Sequence, residues 1–243
     1  STNSFQLCRR ALYNHFRDEA HRQQIGAADL GDRADKLLAA SVRLAIDARQ
    51  KAAAGRPVAV AAAITTLEWC FRPDLAPSPE QARCEYLEIF QVVKDAGADL
   101  VLLETLNSIS EARAALEVAK SLGLPCWTSF VCDERGWLFT GESMAEMVAA
   151  LEPLGVDAIL LNCAPPGDIN AGMKELLAHA RVPTGAYPHI GRFDPPEWMF
   201  TDEYPPARYA QVASSWQQMG ARILGGCCGT TPDHIAALRS LAA

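Results

Sequence analysis

A repeated junction constrains this chain more than any other feature. "AGADLVLLE", "LGVDAILLN" and "MGARILGG" each run from a helix-like segment through a glycine and a short turn into an apolar strand. Glycine stops a helix at low cost because it takes the left-handed conformation freely. The strand candidates are 58–64, 99–104, 126–131, 157–162, 183–187 and 221–225, and residues 1–5 form a possible stub. They are apolar without clean alternation, as strands of a sheet covered on both faces should be. Helices are predicted near 32–54, 78–96, 108–122, 143–153, 169–180, 205–219 and 231–242. In "TTPDHI", Thr231 suits an N-cap and Pro232 the first helical position. Strand and helix alternating at this spacing predict a parallel α/β fold.

Two such folds compete, the doubly wound open sheet and the eight-stranded barrel. No GxGxxG follows a strand, which removes the usual phosphate loop of the first. In the barrel, chemistry gathers where strands end. The residues that follow the strands are Glu104, Asn162 with Cys163, Tyr187, and Cys227 with Cys228. That is a set of reactive side chains in one kind of position, and it favours the (β/α)8 TIM-type barrel, with residues 1–243 as a single domain.

Other classes are disfavoured. A net charge of −7 argues against nucleic acid. No run of 18 apolar residues predicts a membrane span, and "STNSFQLCRR" does not have the form of a signal peptide. The eight cysteines are irregularly spaced in a large apolar chain, so they are expected to be reduced thiols of a cytoplasmic protein.

The Gly-Gly-Cys-Cys run is hard to assign to packing. Gly225 and Gly226 let the backbone turn tightly, and a helix N-terminus that follows would stabilise thiolates. Three cysteines at strand ends could converge on one zinc ion and leave its fourth position open for a substrate thiol. Such a thiol would ionise at neutral pH. A lone cysteine at a strand end is more often a small packed residue. Trp69, Trp127 and Phe130 suit core or pocket wall more than a specific cofactor box, though an aromatic face can attract a cation. "DERGW" and "TDEYPP" fit solvated loops.

"GGCCGTTPDHI", with "LLNCAPP" about 60 residues upstream and "ADLVLLETLNSISEARAAL" before it, resembles the homocysteine S-methyltransferase family. The likeness runs along nearly the whole chain. It implies a (β/α)8 barrel with zinc held by Cys163, Cys227 and Cys228. It implies a reaction in which the zinc-activated thiol of L-homocysteine takes a methyl group from a sulfonium or ammonium donor, giving methionine. The donors that fit are S-methylmethionine, S-adenosylmethionine and betaine. No catalytic side chain beyond the activated substrate thiol is implied. Glu104 matches the glutamate expected to hold the homocysteine amino group, and Asn162 would orient the zinc site. His189 stands where the family usually has asparagine; a surface loop suits it as well, and it is not expected to be a ligand. The family's opening strand, ending in a "DGG"-like segment, has no counterpart here, so the barrel is expected to lack roughly its first one to two βα units. The partners implied are homocysteine and a small methyl donor, without nucleic acid or membrane, in a monomer or homodimer. The alternative is a diverged zinc- and thiol-binding barrel without methyltransferase activity.

Overall fold

The computed structural model describes residues 1–15, 31–194, 197–199 and 203–241. The chain divides into two compact units: Ser1–Leu106 with Ser110–Trp127, and Asn107–Ile109 with Thr128–Ala243.

The first unit holds α1 (Arg9–His15), α2 (Ala34–Ala52), β1 (Ala61–Ile64), α3 (Pro79–Asp95), β2 (Leu100–Leu106) and nearly all of α4 (Ile109–Ser121). β3 (Cys126–Phe130) begins in it. β1 and β2 are parallel, with Ala61 opposite Leu100 and Ile64 opposite Leu103. Helix α3 shows why these segments fold as they do. Ser78 accepts a hydrogen bond from the Gln81 amide, and Pro79 opens the first turn. Ala82, Tyr86, Ile89, Phe90 and Val93 then form one buried stripe. Each large apolar side chain buried this way contributes about 1.5–3 kcal/mol. The expected stub at 1–5 is not a regular strand, but it lies along β1: the Thr2 amide donates to Ala61 O (2.9 Å), and the Ser4 hydroxyl to Ala63 O (2.7 Å).

The loop after β1 is pinned by a buried acid. Glu111 Oε1 accepts the Leu67 amide (2.7 Å) and the Tyr86 hydroxyl (2.8 Å). Burial raises the Glu111 carboxyl above its ordinary range. Arg10 bridges Glu85 and Glu68 in the same unit.

The second unit holds the rest of β3, then α5 (Met144–Leu151), β4 (Ala158–Asn162), α6 (Pro166–His179), β5 (Thr184–Tyr187), α7 (Pro206–Met219), β8 (Ile223–Leu224) and α8 (Pro232–Leu238). An antiparallel hairpin, β6 (Arg192–Asp194) with β7 (Glu197–Met199), interrupts the alternation. β4, β5 and β8 are parallel neighbours in chain order, with Asn162 opposite Tyr187 and Ala186 opposite Leu224. Neither unit shows the reversal of strand order that marks a doubly wound sheet. The three junction glycines, Gly97, Gly155 and Gly220, all have positive φ (90°, 78° and 119°), as their role as helix stops requires. No helix among the described residues is long and apolar enough to cross a membrane.

Candidate metal centre

β4 closes on Asn162, which is fully buried and accepts a hydrogen bond from the Ser129 hydroxyl (2.7 Å). The next residue, Cys163, has φ +53°, a left-handed conformation that costs a non-glycine residue about 1–3 kcal/mol. The kink turns the chain out of the strand at a cysteine that is 6% exposed. Pro165 and Pro166 then set the first turn of α6.

The other two thiols stand beyond β8 on a turn that hydrogen bonds hold to the exit of β5. The Gly225 amide donates to Ala186 O (3.1 Å), the Cys227 amide to Pro188 O (3.0 Å), and the Ile190 amide to Cys228 O (2.9 Å). The turn is tight enough that Gly226 has no room for a side chain: a Cβ there would lie 2.3 Å from Thr230 Oγ1. Thr231 is the N-cap of α8 and Pro232 its first residue, as the sequence predicts.

The result is three thiol sulfurs within 4.8 Å of one another, from Cys163, Cys227 and Cys228. Cys227 Sγ and Cys228 Sγ are 3.8 Å apart. A tetrahedral zinc with bonds of about 2.3 Å spaces its sulfurs about 3.8 Å apart. The adjacent pair has that spacing, and the third sulfur needs only a small side-chain movement, so these residues fit a metal ion. Among the described residues, this is the group of three or more histidine, cysteine or acidic side chains close enough to share one.

The thiols perturb one another. Cys228 is pulled toward the thiolate because Cys163, and then Cys227, donate hydrogen bonds to it, against the effect of burial. Cys163 is driven up as the donor of bonds to Cys227 and Cys228, and burial adds to this. Its bond with Cys163 lowers Cys227, but the bond to Cys228, burial and the Cys228 charge outweigh that and raise it. The three thiols are therefore coupled through their mutual hydrogen bonds, and three adjacent thiolates would require a compensating positive charge. His189, 8% exposed, is buried rather than on a surface loop, and burial lowers its pKa while the Cys228 charge opposes this.

The three cysteines are thus brought together, with Asn162 directly before Cys163 in β4. Glu104 lies in β2 of the first unit, half-buried, and is followed by Thr105 at φ +59°. All eight cysteines are free thiols. Phe130 is core and Trp127 half-buried, whereas Trp69 is 41% exposed. In "DERGW", Asp133 is more than a solvated acid: it accepts the amides of Arg135 (3.0 Å) and Trp137 (2.9 Å) and shapes the loop. "TDEYPP" falls partly outside the described residues.

Sequence reasoning missed Ser129, Tyr209 and Thr230, whose hydroxyls hold Asn162 and the thiol turn. Tyr209 shares a helical stripe with Ala213 and Trp216, which marks it as core and hides its polar role.

A family model described as homocysteine S-methyltransferase matches residues 1–242. The homocysteine S-methyltransferase of Escherichia coli is 32% identical over 175 residues, which cover 70% of this chain and 56% of that protein. The methionine synthase of Mycobacterium leprae is 34% identical over 163 residues, 63% of this chain. The chain spans only 13% of that synthase's length. Among solved structures, the metallated form of the homocysteine methyltransferase MmuM from Escherichia coli superposes with a TM-score of 0.78 at 26% identity, covering 99% of this chain and 78% of that one.

Proposed function

The chain belongs to the homocysteine S-methyltransferase family, and from that premise we propose that it transfers a methyl group to the thiol of L-homocysteine, giving methionine. The donor is a small sulfonium or ammonium compound: S-methylmethionine, S-adenosylmethionine or betaine. The observation that carries the reading is the meeting of three thiols from two strand ends within 4.8 Å. Family likeness, with parallel strands following chain order in each unit, supports a (β/α)8 barrel as the frame. Free thiols and an apolar, acidic chain suit the reducing cytoplasm.

Cys163, Cys227 and Cys228 would hold zinc; the metallated state of the similar Escherichia coli enzyme supports a metal here. When bound, zinc with three protein ligands supplies a Lewis acid that makes a thiol acidic at neutral pH. The remaining work belongs to the protein. Glu104 would hold the substrate ammonium through charge-assisted hydrogen bonds. Asn162, itself fixed by Ser129, keeps the Cys163 turn in place. The substrate sulfur gives its proton to solvent and attacks the methyl carbon. A sulfur–carbon bond forms as the donor's sulfonium or ammonium bond to that carbon breaks, and the donor leaves neutral at that atom.

The test is the reaction itself. Purified protein under reducing conditions with one equivalent of zinc is given homocysteine and each donor in turn, and methionine is measured by mass spectrometry. Methionine from at least one donor, lost on replacing any of the three cysteines, is the expected outcome. Homocysteine binding without methionine from any donor would instead make the chain a thiol-binding relative.

A further inference from the structure

The thiol geometry depends on groups outside the cysteines. The turn from Gly225 to Thr231 is not part of a helix or strand, so its carbonyls must be held one by one. Tyr209 reaches in from α7 and donates its hydroxyl to Gly225 O (2.7 Å), with Pro188 O at 3.4 Å. Those two carbonyls belong to the exits of β8 and β5, so one hydroxyl sits between the two segments. The Tyr209 ring is 1% exposed and meets the His234 ring edge-on, with centroids 5.5 Å apart at 89°. His234 is tied by its own ring nitrogens, Nδ1 to the Thr231 amide (3.1 Å) and Nε2 to Tyr204 O (2.9 Å). The second clamp is Thr230, whose hydroxyl donates to Cys227 O (2.7 Å). Gly226 makes that contact possible by lacking a side chain.

We propose that the hydroxyls of Tyr209 and Thr230 are positioning groups for the thiols: by fixing the carbonyls of Gly225 and Cys227, they aim Cys227 and Cys228 at Cys163 before any metal arrives. The proposal rests on the reading that these cysteines hold a metal. A flexible turn must be ordered on binding, and that cost is subtracted from affinity. Supporting residues of this kind typically change metal affinity about 10- to 100-fold.

The experiment uses the full chain with Tyr209→Phe, Thr230→Val and, as reference, Tyr86→Phe. Tyr86 is another fully buried tyrosine whose hydroxyl is hydrogen-bonded, but it lies in the first unit and bonds Glu111. Zinc affinity is measured by competition with a chromogenic chelator. The geometry is read from the charge-transfer and d–d bands of the cobalt-substituted protein. Tyr209→Phe is expected to weaken zinc binding about tenfold or more, Thr230→Val about threefold to tenfold, and both to weaken or shift the tetrahedral cobalt bands. Tyr86→Phe should leave affinity and spectrum within about twofold of the wild type.

Wild-type affinity and spectrum in both site variants would overturn the proposal. An equal loss in Tyr86→Phe would also overturn it, since the effect would then be general loosening. If circular dichroism shows Tyr209→Phe unfolded, Thr230→Val, at a half-buried position of the same turn, decides. A wild-type chain that binds no zinc refutes the underlying reading, whereas unchanged affinity in the variants refutes only the positioning role.

Discussion

β2 and β4 share an unusual backbone feature in different surroundings. A polar residue, Glu104 within β2 or Asn162 at the end of β4, is followed by a non-glycine in the left-handed region: Thr105 at +59° and Cys163 at +53°. Among the described residues only Ala54 shares that property. Such strain gathers at functional sites, where the surroundings over-determine it. The surroundings differ, however. The first unit holds its buried polarity with ordinary partners: the Glu111 carboxyl takes an amide and a hydroxyl, and Arg10 sits between two acids. The second unit gathers three thiols and ties their backbone by hydrogen bonds to the exit of β5. The comparison teaches how one backbone feature serves two settings: in β2 it follows a half-buried acid, and after β4 it leads the chain into a cluster of three thiols.

The largest break in that contrast comes from a thiol. Cys228→Ser should lower zinc affinity by more than the roughly 100-fold that a supporting residue can cost, and should abolish methionine formation. Chelator competition and product analysis check both. Next comes Glu104→Gln, which removes a charge-assisted hydrogen bond valued at about 1.5–3 kcal/mol. Homocysteine binding measured by calorimetry should weaken roughly 10- to 100-fold. Zinc affinity should not move, because Glu104 is not one of the three clustered thiols. Third, stripping the metal should leave the first unit unaffected and loosen the second. Hydrogen exchange at the Cys227 and Ile190 amides should quicken by about tenfold, while Leu67, held by Glu111, stays as protected as before.

The smallest effect concerns pH and belongs to the first unit. Burial raises Glu111 above the usual glutamate value of 4.5. A raised folded value favours the protonated carboxyl in the fold. Its contribution to stability is therefore full below 4.5 and is lost as pH rises through the folded value. Glu111→Gln keeps an acceptor oxygen for Leu67 and Tyr86 and removes the titration. The stability of wild type relative to this variant should fall as pH rises from 4.5, measured by denaturant unfolding at each pH. A flat difference would mean that Glu111 is not titrating in a buried setting.

Much of this was legible in the sequence because local chemistry states it. Glycine stops and proline starts mark helices whose bounds fall within a few residues of expectation, the largest differences being the earlier start of α6 and the earlier end of α8. The three thiols were legible because they follow strands, and strand ends share a face. What was not legible depends on distant partners. α1 is short, without an acidic first turn, and the β6–β7 hairpin brackets a proline pair that resembles a loop. Strand β8 is assigned only to Ile223 and Leu224, yet the Arg222 and Gly225 amides extend the same bonding to Thr184 and Ala186 on either side. His189 could have been surface; its burial follows from the Ala164 carbonyl that receives its amide. Ser129, Tyr209 and Thr230 act across 33, 16 and 3 residues, through hydroxyls that no local pattern distinguishes from packing or turn residues.

The central claim is that three thiols form one metal centre, and X-ray absorption at the zinc edge tests it most directly. Protein purified under reducing conditions and loaded with zinc should hold about one ion per chain, with three sulfur neighbours at about 2.3 Å. A spectrum without sulfur neighbours, together with free alkylation of Cys163, Cys227 and Cys228 in the presence of zinc, would contradict it.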